Sequence, residues 1–135
     1  FHKLQSLRGT KILIAEDNQI NVILAKQFMA QWDVDCDIAE NGQIALMLAK
    51  TNDYDMILMD LQMPEMDGYQ TTIAIRDLPG DKYQKLPIIA LTASAMLDIQ
   101  DHAFTVGMND YISKPFNPND LHKKIAYYSR LKEAV

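Results

Sequence analysis

The sequence predicts an α/β fold in which helices cover both faces of a parallel β-sheet. Short apolar runs alternate with longer segments of helical periodicity, which is the pattern of repeated strand–helix units. Right-handed crossovers between parallel strands place the helices on both faces of the sheet. The chain has 135 residues, 48% of them hydrophobic and 23% charged, which is typical of one folded domain.

Five apolar runs are predicted to form the strands. They lie near Lys11–Ala15, Val34–Ala39, Asp55–Met59, Pro87–Leu91 and Asp110–Ser113. Cys36 alternates with Val34 and Ile38 in the second run, so we interpret it as a packed side chain rather than a reactive thiol. A single cysteine cannot form an internal disulfide, which fits a reducing, cytosolic setting.

The first two of five predicted helices follow asparagines that can cap them. The first is predicted to start at Asn18, and its apolar residues Ile20, Leu24 and Phe28 are expected in the core. The second follows Asn41. Both helices should therefore begin directly after a strand and pack on the sheet.

The remaining helices are predicted from their start and stop signals. The third follows Gly68 and is stopped by Pro79–Gly80, the fourth runs over residues 95–106 before Gly107, and the last begins at Asn117–Asp120. The apolar side chains expected to pack from the second, third and fourth helices are Ile44, Leu46, Leu48, Ile73, Ile75, Met96, Ile99 and Phe104.

The two ends of the chain are expected to lie outside the folded unit. Residues 1–10 are predicted as a linker or tail and residues 131–135 as a C-terminal extension, which leaves one domain over residues 11–130. Because the chain begins with Phe1 rather than methionine, we expect it to be a piece of a longer polypeptide. A net charge of −5 without a basic tract argues against direct nucleic-acid binding. Without a signal-peptide pattern or long apolar span, no membrane contact is expected from this part of the chain.

Polar residues end four of the five predicted strands. Glu16 and Asp17 follow the first, Asp60 the third, Thr92 the fourth and Lys114 the fifth. Ligands of open α/β sheets gather beyond the carboxyl ends of the strands, so these side chains are expected to meet. Each alone has an ordinary explanation as a helix cap, strand residue or solvated lysine. Their joint occurrence favours a functional site.

The chemistry of these side chains points to a hard metal ion and a phosphoryl group. Glu16, Asp17 and Asp60 would repel one another unless a cation joined them, and oxygen ligands suit Mg²⁺, with Mn²⁺ as a substitute. Once neutralised, Asp60 is a credible nucleophile toward phosphorus. Lys114 and Thr92 would then stabilise the oxygens of the transferred group.

Four motifs carry a resemblance to a known family. The segments Ile14–Asn18, Met59–Gly68, Leu91–Ser94 and Ser113–Phe116 occur in the order found in the receiver domain of two-component response regulators, which the chain resembles over about residues 10–130. The resemblance implies a flavodoxin-like, doubly wound, three-layer sandwich with five helices. Its five parallel strands should lie in the order 2-1-3-4-5.

The resemblance also implies individual roles. Asp60 would be the phosphoacceptor. Asp17 would bind Mg²⁺ directly, Glu16 mainly through water, and the backbone carbonyl of Gln62 would complete the protein ligands. The domain would thus take a phosphoryl group in a Mg²⁺-dependent phosphorelay.

The same resemblance assigns the switch and the surroundings of the phosphoryl group. Thr92 would move toward the phosphoryl group and Tyr111 would then turn inward, while Lys114 binds a phosphoryl oxygen. Ala93 and Pro115 would flank the phosphate, and the bond before Pro115 is expected to be cis. The fourth helix, fifth strand and fifth helix would then present a changed surface to partners.

The phosphodonor is expected on another protein or domain. His2, His102 and His122 are scattered and are expected to face solvent, so a histidine kinase or histidine phosphotransfer domain should supply the phosphohistidine. The motif around Glu16–Asn18 most resembles receivers of hybrid sensor histidine kinases, which would tether this domain in the cytoplasm to a membrane sensor. Dimerisation is left open.

Other functions stay open at this point. A stand-alone or effector-linked regulator would have nearly the same sequence, and so would a binding module that had lost phosphorylation. A haloacid-dehalogenase-like phosphohydrolase would use similar residues but needs a second acid two positions after the nucleophile, where this chain has Gln62. The sequence therefore does not decide whether the chain counts as an enzyme, because a receiver only accepts and releases its phosphoryl group whereas the parent chain could be a kinase.

Overall fold

The computed structural model describes residues 4–94 and 96–133, with side chains described through residue 129. The described strands are β1 Lys11–Ala15, β2 Asp35–Ala39, β3 Met56–Asp60, β4 Ile88–Thr92 and β5 Asp110–Ser113. The helices are α1 Gln19–Gln31, α2 Gly42–Thr51, α3 Gly68–Arg76, α4 Asp81–Lys85, α5 Leu97–Thr105 and α6 Pro118–Glu133. His2 and residues 134–135 of the expected extension lie outside the described residues.

The five strands form one parallel sheet in the order β2-β1-β3-β4-β5, as the resemblance implied. Along β1, Ile12 and Ile14 enter a core shared with α1 and α6, whereas Leu13 and Ala15 enter a second core on the opposite face. Burial on both faces explains why the strands are continuous apolar runs. The predicted three-layer architecture is confirmed.

Three strands begin one residue later than the sequence predicted, and two of them also end one residue later. Asp60 pairs with Leu91, and Thr92 pairs with Ser113, so both polar residues belong to the strands rather than to the loops that follow. Backbone pairing continues through them because a ladder depends on main-chain groups and not on side-chain polarity. Both side chains are consequently held by rigid strands.

The buried face of α1 differs from the prediction. The Asn18 cap is confirmed, since Asn18 Oδ1 accepts hydrogen bonds from the backbone N–H groups of Ile20 and Asn21 at 3.0 and 3.2 Å. Ile20, however, is 76% exposed, and the buried residues of this helix are Val22, Ala25 and Met29. Several apolar stripes run along α1, so periodicity alone did not identify the one that faces the sheet.

The other helices confirm part of the predicted core. Asn41 caps α2, since its Oδ1 accepts the Ile44 N–H at 2.9 Å, and Asn117 Oδ1 accepts the Asp120 N–H at 3.1 Å at the start of α6. Gly107 has a φ of 111° after α5, the left-handed conformation expected there. The predicted core residues that prove to be exposed are Ile73, Met96 and Phe104.

The sequence did not predict helix α4. It lies between Pro79–Gly80 and β4, and its buried Tyr83 packs into the core. Arg76 at the end of α3 donates hydrogen bonds to the backbone carbonyls of Tyr83 and Leu86, both at 2.7 Å. One turn of helix gives too short a periodic pattern to recognise, and here it is stabilised by tertiary contacts.

Residues 4–10 pack against the end of α1 and against α6. The Leu7 N–H donates to the Trp32 carbonyl at 2.7 Å, and the Ser6 hydroxyl donates to Asp33 Oδ2 at 2.6 Å. His122 Nε2 lies 2.7 Å from the Gln5 carbonyl oxygen, and its ring packs edge-on against Trp32. The prediction that His122 faces solvent was therefore wrong, since it is half-buried, whereas His102 is exposed and stacks on another ring.

No helix among the described residues combines the length and apolar character needed to cross a lipid bilayer.

Candidate functional site

A cleft opens at the carboxyl ends of β1, β3, β4 and β5. Five strand-end residues singled out by their sequence positions line it together, namely Glu16, Asp17, Asp60, Thr92 and Lys114. Gln62 and Ala93 also line this cleft, whereas Tyr111 and Pro115 do not. The parallel sheet thus brings together residues that are almost one hundred positions apart in the chain.

Lys114 is the central cation of the cleft. Its Nζ lies 2.8 Å from Glu16 Oε1 and 3.0 Å from Asp60 Oδ2, and its side chain is only 16% exposed. The backbone N–H of Lys114 donates to the Thr92 carbonyl at 2.8 Å, which extends the pairing between β4 and β5. The peptide bond between Lys114 and Pro115 is cis, as the resemblance implied.

The acidic groups fit a divalent cation. Glu16, Asp17 and Asp60 each offer a carboxylate oxygen, and these three oxygens lie within 4.8 Å of one another. Glu16 is fully buried, and its Oε1 lies 2.8 Å from the Lys114 ammonium. Because Mg²⁺ prefers carboxylate oxygens and keeps part of its water shell, the buried Glu16 and exposed Asp17 suit it.

Burial and the Glu16 carboxyl raise the pKa of Asp60 to about 7. Burial alone would raise the pKa of Glu16 too, but hydrogen bonds with Asp60, Lys114 and the Asn18 N–H outweigh it and lower that pKa. Burial would lower the pKa of Lys114, yet the two carboxylates raise it, so the lysine stays cationic. Without a metal ion, the two buried acids therefore share one proton near neutral pH.

This shared proton predicts a pH-dependent stability. A carboxyl whose pKa is raised by folding contributes stability below its unfolded pKa of about 4, and that contribution is lost as pH rises through about 7. In EDTA, the free energy of unfolding should fall over this range by up to about 4 kcal/mol because of Asp60, since folding raises its pKa from about 4 to about 7. Urea titrations at several pH values would measure it.

Asp60→Asn is the matched variant for this measurement. The neutral amide cannot ionise, so the loss between about pH 4 and 7 should be smaller in the variant, which should be the more stable protein at pH 8 in EDTA. Added Mg²⁺ should stabilise the unsubstituted protein more than the variant. Parallel pH profiles of the two proteins would contradict the raised pKa.

The Thr92 hydroxyl is held at the mouth of the cleft by the following loop. Its Oγ1 accepts the Ser94 N–H at 3.0 Å and donates to the Ser94 carbonyl at 3.1 Å. Movement of this hydroxyl toward Asp60 would break both hydrogen bonds and release the loop before α5. Tyr111 pairs with Ala90 two positions before Thr92 and is half-buried, so it lies on the neighbouring strand without lining the cleft.

A glycine fixes the loop after Asp60. A Cβ atom on Gly68 would lie closer than 3.0 Å to the Asp60 carbonyl oxygen and 2.9 Å from the Leu61 Cα. The Gly68 N–H donates to the Leu61 carbonyl at 3.2 Å, and the Gln62 N–H donates to Asp60 Oδ1 at 3.1 Å. From the sequence, Gly68 was identified as the residue before the third helix and as the end of a family motif. The close approach of two main-chain segments became visible only in three dimensions.

The wall of the cleft formed by α3 and α5 was not predicted from the sequence. Tyr69 and Ile99 line it from α3 and α5, and the Tyr69 ring stacks on His102 at a centroid distance of 4.0 Å. An aromatic residue directly after Gly68 was a signal that could have been used, because α3 begins at the cleft. These residues close the side of the cleft between the two helices.

The fold and the site together define a doubly wound α/β domain with a phosphoacceptor-type acidic cleft. The model of the response regulator receiver domain matches residues 12–126. The chain belongs to the response regulator receiver domain family.

One curated relative is the hybrid signal transduction histidine kinase B of Dictyostelium discoideum. It is 39% identical to this chain over 120 residues, which cover 82% of the chain but 6% of that protein. For eight such relatives, the matched region spans only 4–16% of the relative's own length. The chain is therefore similar to one segment of these much longer proteins.

Two solved structures illustrate the similarity of the fold. The receiver domain of the sensor histidine kinase PA1611 from Pseudomonas aeruginosa, with a magnesium ion in its active-site cleft, has a TM-score of 0.83 and 33% identity, covering 90% of this chain and 98% of that one. The second structure is the receiver domain of Ssk1 from Saccharomyces cerevisiae, solved in complex with the histidine phosphotransfer protein Ypd1. It has a TM-score of 0.83 and 32% identity, covering 91% of this chain and 90% of that one.

Proposed function

We propose that this domain, over residues 11–130, accepts a phosphoryl group from a phosphohistidine onto Asp60. The observation that supports this most directly is the position of Asp60, which shares a buried cluster with Glu16 and lies 3.0 Å from the Lys114 ammonium. A carboxylate paired with a cation beside a metal-binding set is suited to attack a phosphoryl group. The domain then acts as a switch in a phosphorelay.

The proposed reaction forms one bond and breaks one. An Asp60 oxygen attacks phosphorus, the bond from phosphorus to the donor imidazole nitrogen breaks, and that nitrogen takes up a proton. A mixed anhydride remains on Asp60. Lys114 stabilises the charge on the phosphoryl oxygens, and the Thr92 hydroxyl donates a hydrogen bond to one of them. Asp17, Asp60 and the Gln62 carbonyl would hold Mg²⁺, with Glu16 acting mainly through water, and the ion would supply positive charge against the phosphoryl oxygens.

Labelling with a small phosphodonor tests this function directly. Acetyl phosphate with Mg²⁺ should add one phosphoryl group, detected as a mass increase, and the product should be cleaved by hydroxylamine as acyl phosphates are. EDTA should suppress the reaction because the carboxylates would then repel the incoming phosphate. A hydroxylamine-resistant product would exclude an acyl phosphate.

Gln62 argues against sustained hydrolysis of phosphate esters. It stands two residues after Asp60, where a phosphohydrolase of the haloacid-dehalogenase type needs an acid to protonate the leaving group. An amide cannot supply that proton. We therefore infer a phosphoacceptor whose phosphoryl group is returned to water or passed to another histidine.

The relatives support a protein as the phosphodonor. They include hybrid histidine kinases, and the Ssk1 receiver was solved with a histidine phosphotransfer protein. We infer that this chain is the receiver of a hybrid sensor histidine kinase, works in the cytoplasm, and exchanges phosphoryl groups with a kinase or a phosphotransfer domain. The exposed Ile20 and Ile23 on α1 lie on the helix that begins at the cleft, and they offer that partner an apolar contact.

Ile20→Asp is expected to slow transfer from a protein donor at least about tenfold, since a charge would replace a central apolar contact. Labelling by acetyl phosphate should be unchanged because this donor needs no docking surface. Met47→Asp is the matched control, since Met47 is 55% exposed on α2 and does not line the cleft. Initial rates with both donors would measure the effect. Equal losses with the two donors would contradict a docking role.

A further inference from the structure

Lys124 on α6 makes three contacts with the edge strand β5. Its Nζ lies 3.0 Å from Asp110 Oδ1 and 2.5 Å from the Tyr111 carbonyl oxygen, and 5.0 Å from the centre of the Tyr111 ring. One ammonium therefore binds an acid, a main-chain carbonyl and an aromatic face within two consecutive residues. Such a set restrains both the strand and the ring of Tyr111.

The position of β5 explains why this restraint matters. In the described sheet, β5 pairs only with β4, so its outer edge has no strand partner. An edge strand is held less firmly than a central one, and a lysine that donates to its carbonyl replaces part of the missing ladder. Lys124 therefore holds the sheet edge at Tyr111. This is the residue to which the family resemblance assigns the role of switch aromatic.

Asp110 is itself held in place by neighbouring donors. The Tyr128 hydroxyl donates to Asp110 Oδ2 at 3.0 Å, and the Tyr111 N–H donates to Asp110 Oδ1 at 2.8 Å. Burial and the hydrogen bond to Asp110 raise the pKa of Tyr128 to about 12, so its hydroxyl remains a donor at physiological pH. The acid that binds Lys124 is thus oriented from α6 as well as from β5.

We propose that Lys124 is a positioning residue for the switch, holding Tyr111 at the sheet edge in the unphosphorylated state and releasing it when Thr92 moves. This inference rests on the proposed function and adds a residue outside the phosphorylation cleft to it. The restraint must be overcome by the phosphoryl group, so it sets how much of the protein is already in the active arrangement before phosphorylation.

Removing the ammonium should shift this equilibrium measurably. The half-buried cation–π contact and the partly exposed ion pair are each weak. Their combined loss should raise about fivefold the population ratio of the arrangement adopted with a phosphoryl group to the arrangement of the free protein. Lys124→Met keeps most of the aliphatic stem and removes the charge. Lys124→Gln is a second variant that keeps a polar tip, and Lys124→Arg restores the cation.

The experiment follows the Thr92 methyl group by NMR in the free protein and in the protein with beryllofluoride and Mg²⁺, which mimic the acyl phosphate. Thr92 is an independent reporter because Lys124 does not contact it. Loss of the Lys124 charge should therefore leave the Thr92 signal in place unless the arrangement of the protein changes. In the free Lys124→Met and Lys124→Gln proteins, the signal should move toward its beryllofluoride position. Lys124→Arg and the exposed neighbour variant Lys123→Met should keep the unsubstituted position.

The role of Lys124 and the proposed function would be contradicted by different results. If beryllofluoride moves Thr92 in the unsubstituted protein but the free Lys124→Met and Lys124→Gln proteins show no displacement, the role of Lys124 is wrong and the proposed function stands. If beryllofluoride leaves Thr92 unchanged in the unsubstituted protein, the proposed function itself is wrong. A displacement equally large in Lys123→Met would show a general effect of α6 charge and overturn the proposal.

Discussion

Asparagine in place of Asp60 is expected to abolish phosphoryl incorporation, with a loss of at least about 10³-fold. The amide has nearly the same shape as the carboxyl group, so it can still accept the Gln62 N–H and the Lys114 contact, but it lacks a nucleophilic oxygen. Transfer from a phosphohistidine donor, followed by intact-protein mass spectrometry, would measure the loss.

The same substitution at Asp67 is the matched control. Asp67 lines the cleft and caps α3 through a 2.8 Å hydrogen bond from the Gln70 N–H, and asparagine is an equally good cap. Asp67→Asn should therefore keep both its stability and its labelling. Undiminished transfer onto the Asp60→Asn protein would exclude Asp60 as the acceptor.

Gly68→Ala is expected to destabilise the domain by more than about 2 kcal/mol and to slow phosphorylation. The added methyl group would lie closer than 3.0 Å to the Asp60 carbonyl oxygen, so either α3 or the strand end must shift. A shift at Asp60 moves the nucleophile away from Lys114. Urea denaturation and the initial rate of labelling by acetyl phosphate would measure the two effects.

Gly9→Ala separates this effect from simple backbone strain. Gly9 has a φ of 93°, and a Cβ atom there would meet nothing within 4 Å. This variant should lose about 1 kcal/mol because of its left-handed conformation, yet label at the original rate. If Gly68→Ala also labels at the original rate, contact with the Asp60 main chain does not position the nucleophile.

The sequence was sufficient for the sheet because local pattern and topology agree there. Apolar runs buried on both faces identified the five strands, and the family motifs supplied their order. The buried face of α1 was harder to predict, because Ile20 and Val22 are both apolar. Only the packed structure shows that Ile20 is exposed and Val22 is buried. Helix α4 depends on Tyr83 and on carbonyls bound by Arg76, which are tertiary contacts without a sequence signature.

The residues of the site were predictable from the sequence, but their burial and protonation were not. Strand ends indicated that Glu16, Asp60 and Lys114 should meet, and in the structure they do. Which acid is buried and which carries the shared proton depends on distances and solvent exposure, and these are not encoded in spacing. The contact of Lys124 with the edge strand β5 was likewise not predictable from the sequence, because it depends on how α6 packs against that strand.

The direction of α6 affects how this domain can be joined to other proteins. Residues 4–10 bind near Trp32 at the amino edge of the sheet, and α6 runs back from the carboxyl edge toward the same side. A fused partner, a surface anchor or a fluorescent label attached at the end of α6 would therefore lie on the side of the sheet away from Asp60. Immobilised in this way, the molecule would present its reactive face outward, where an incoming donor has unobstructed access.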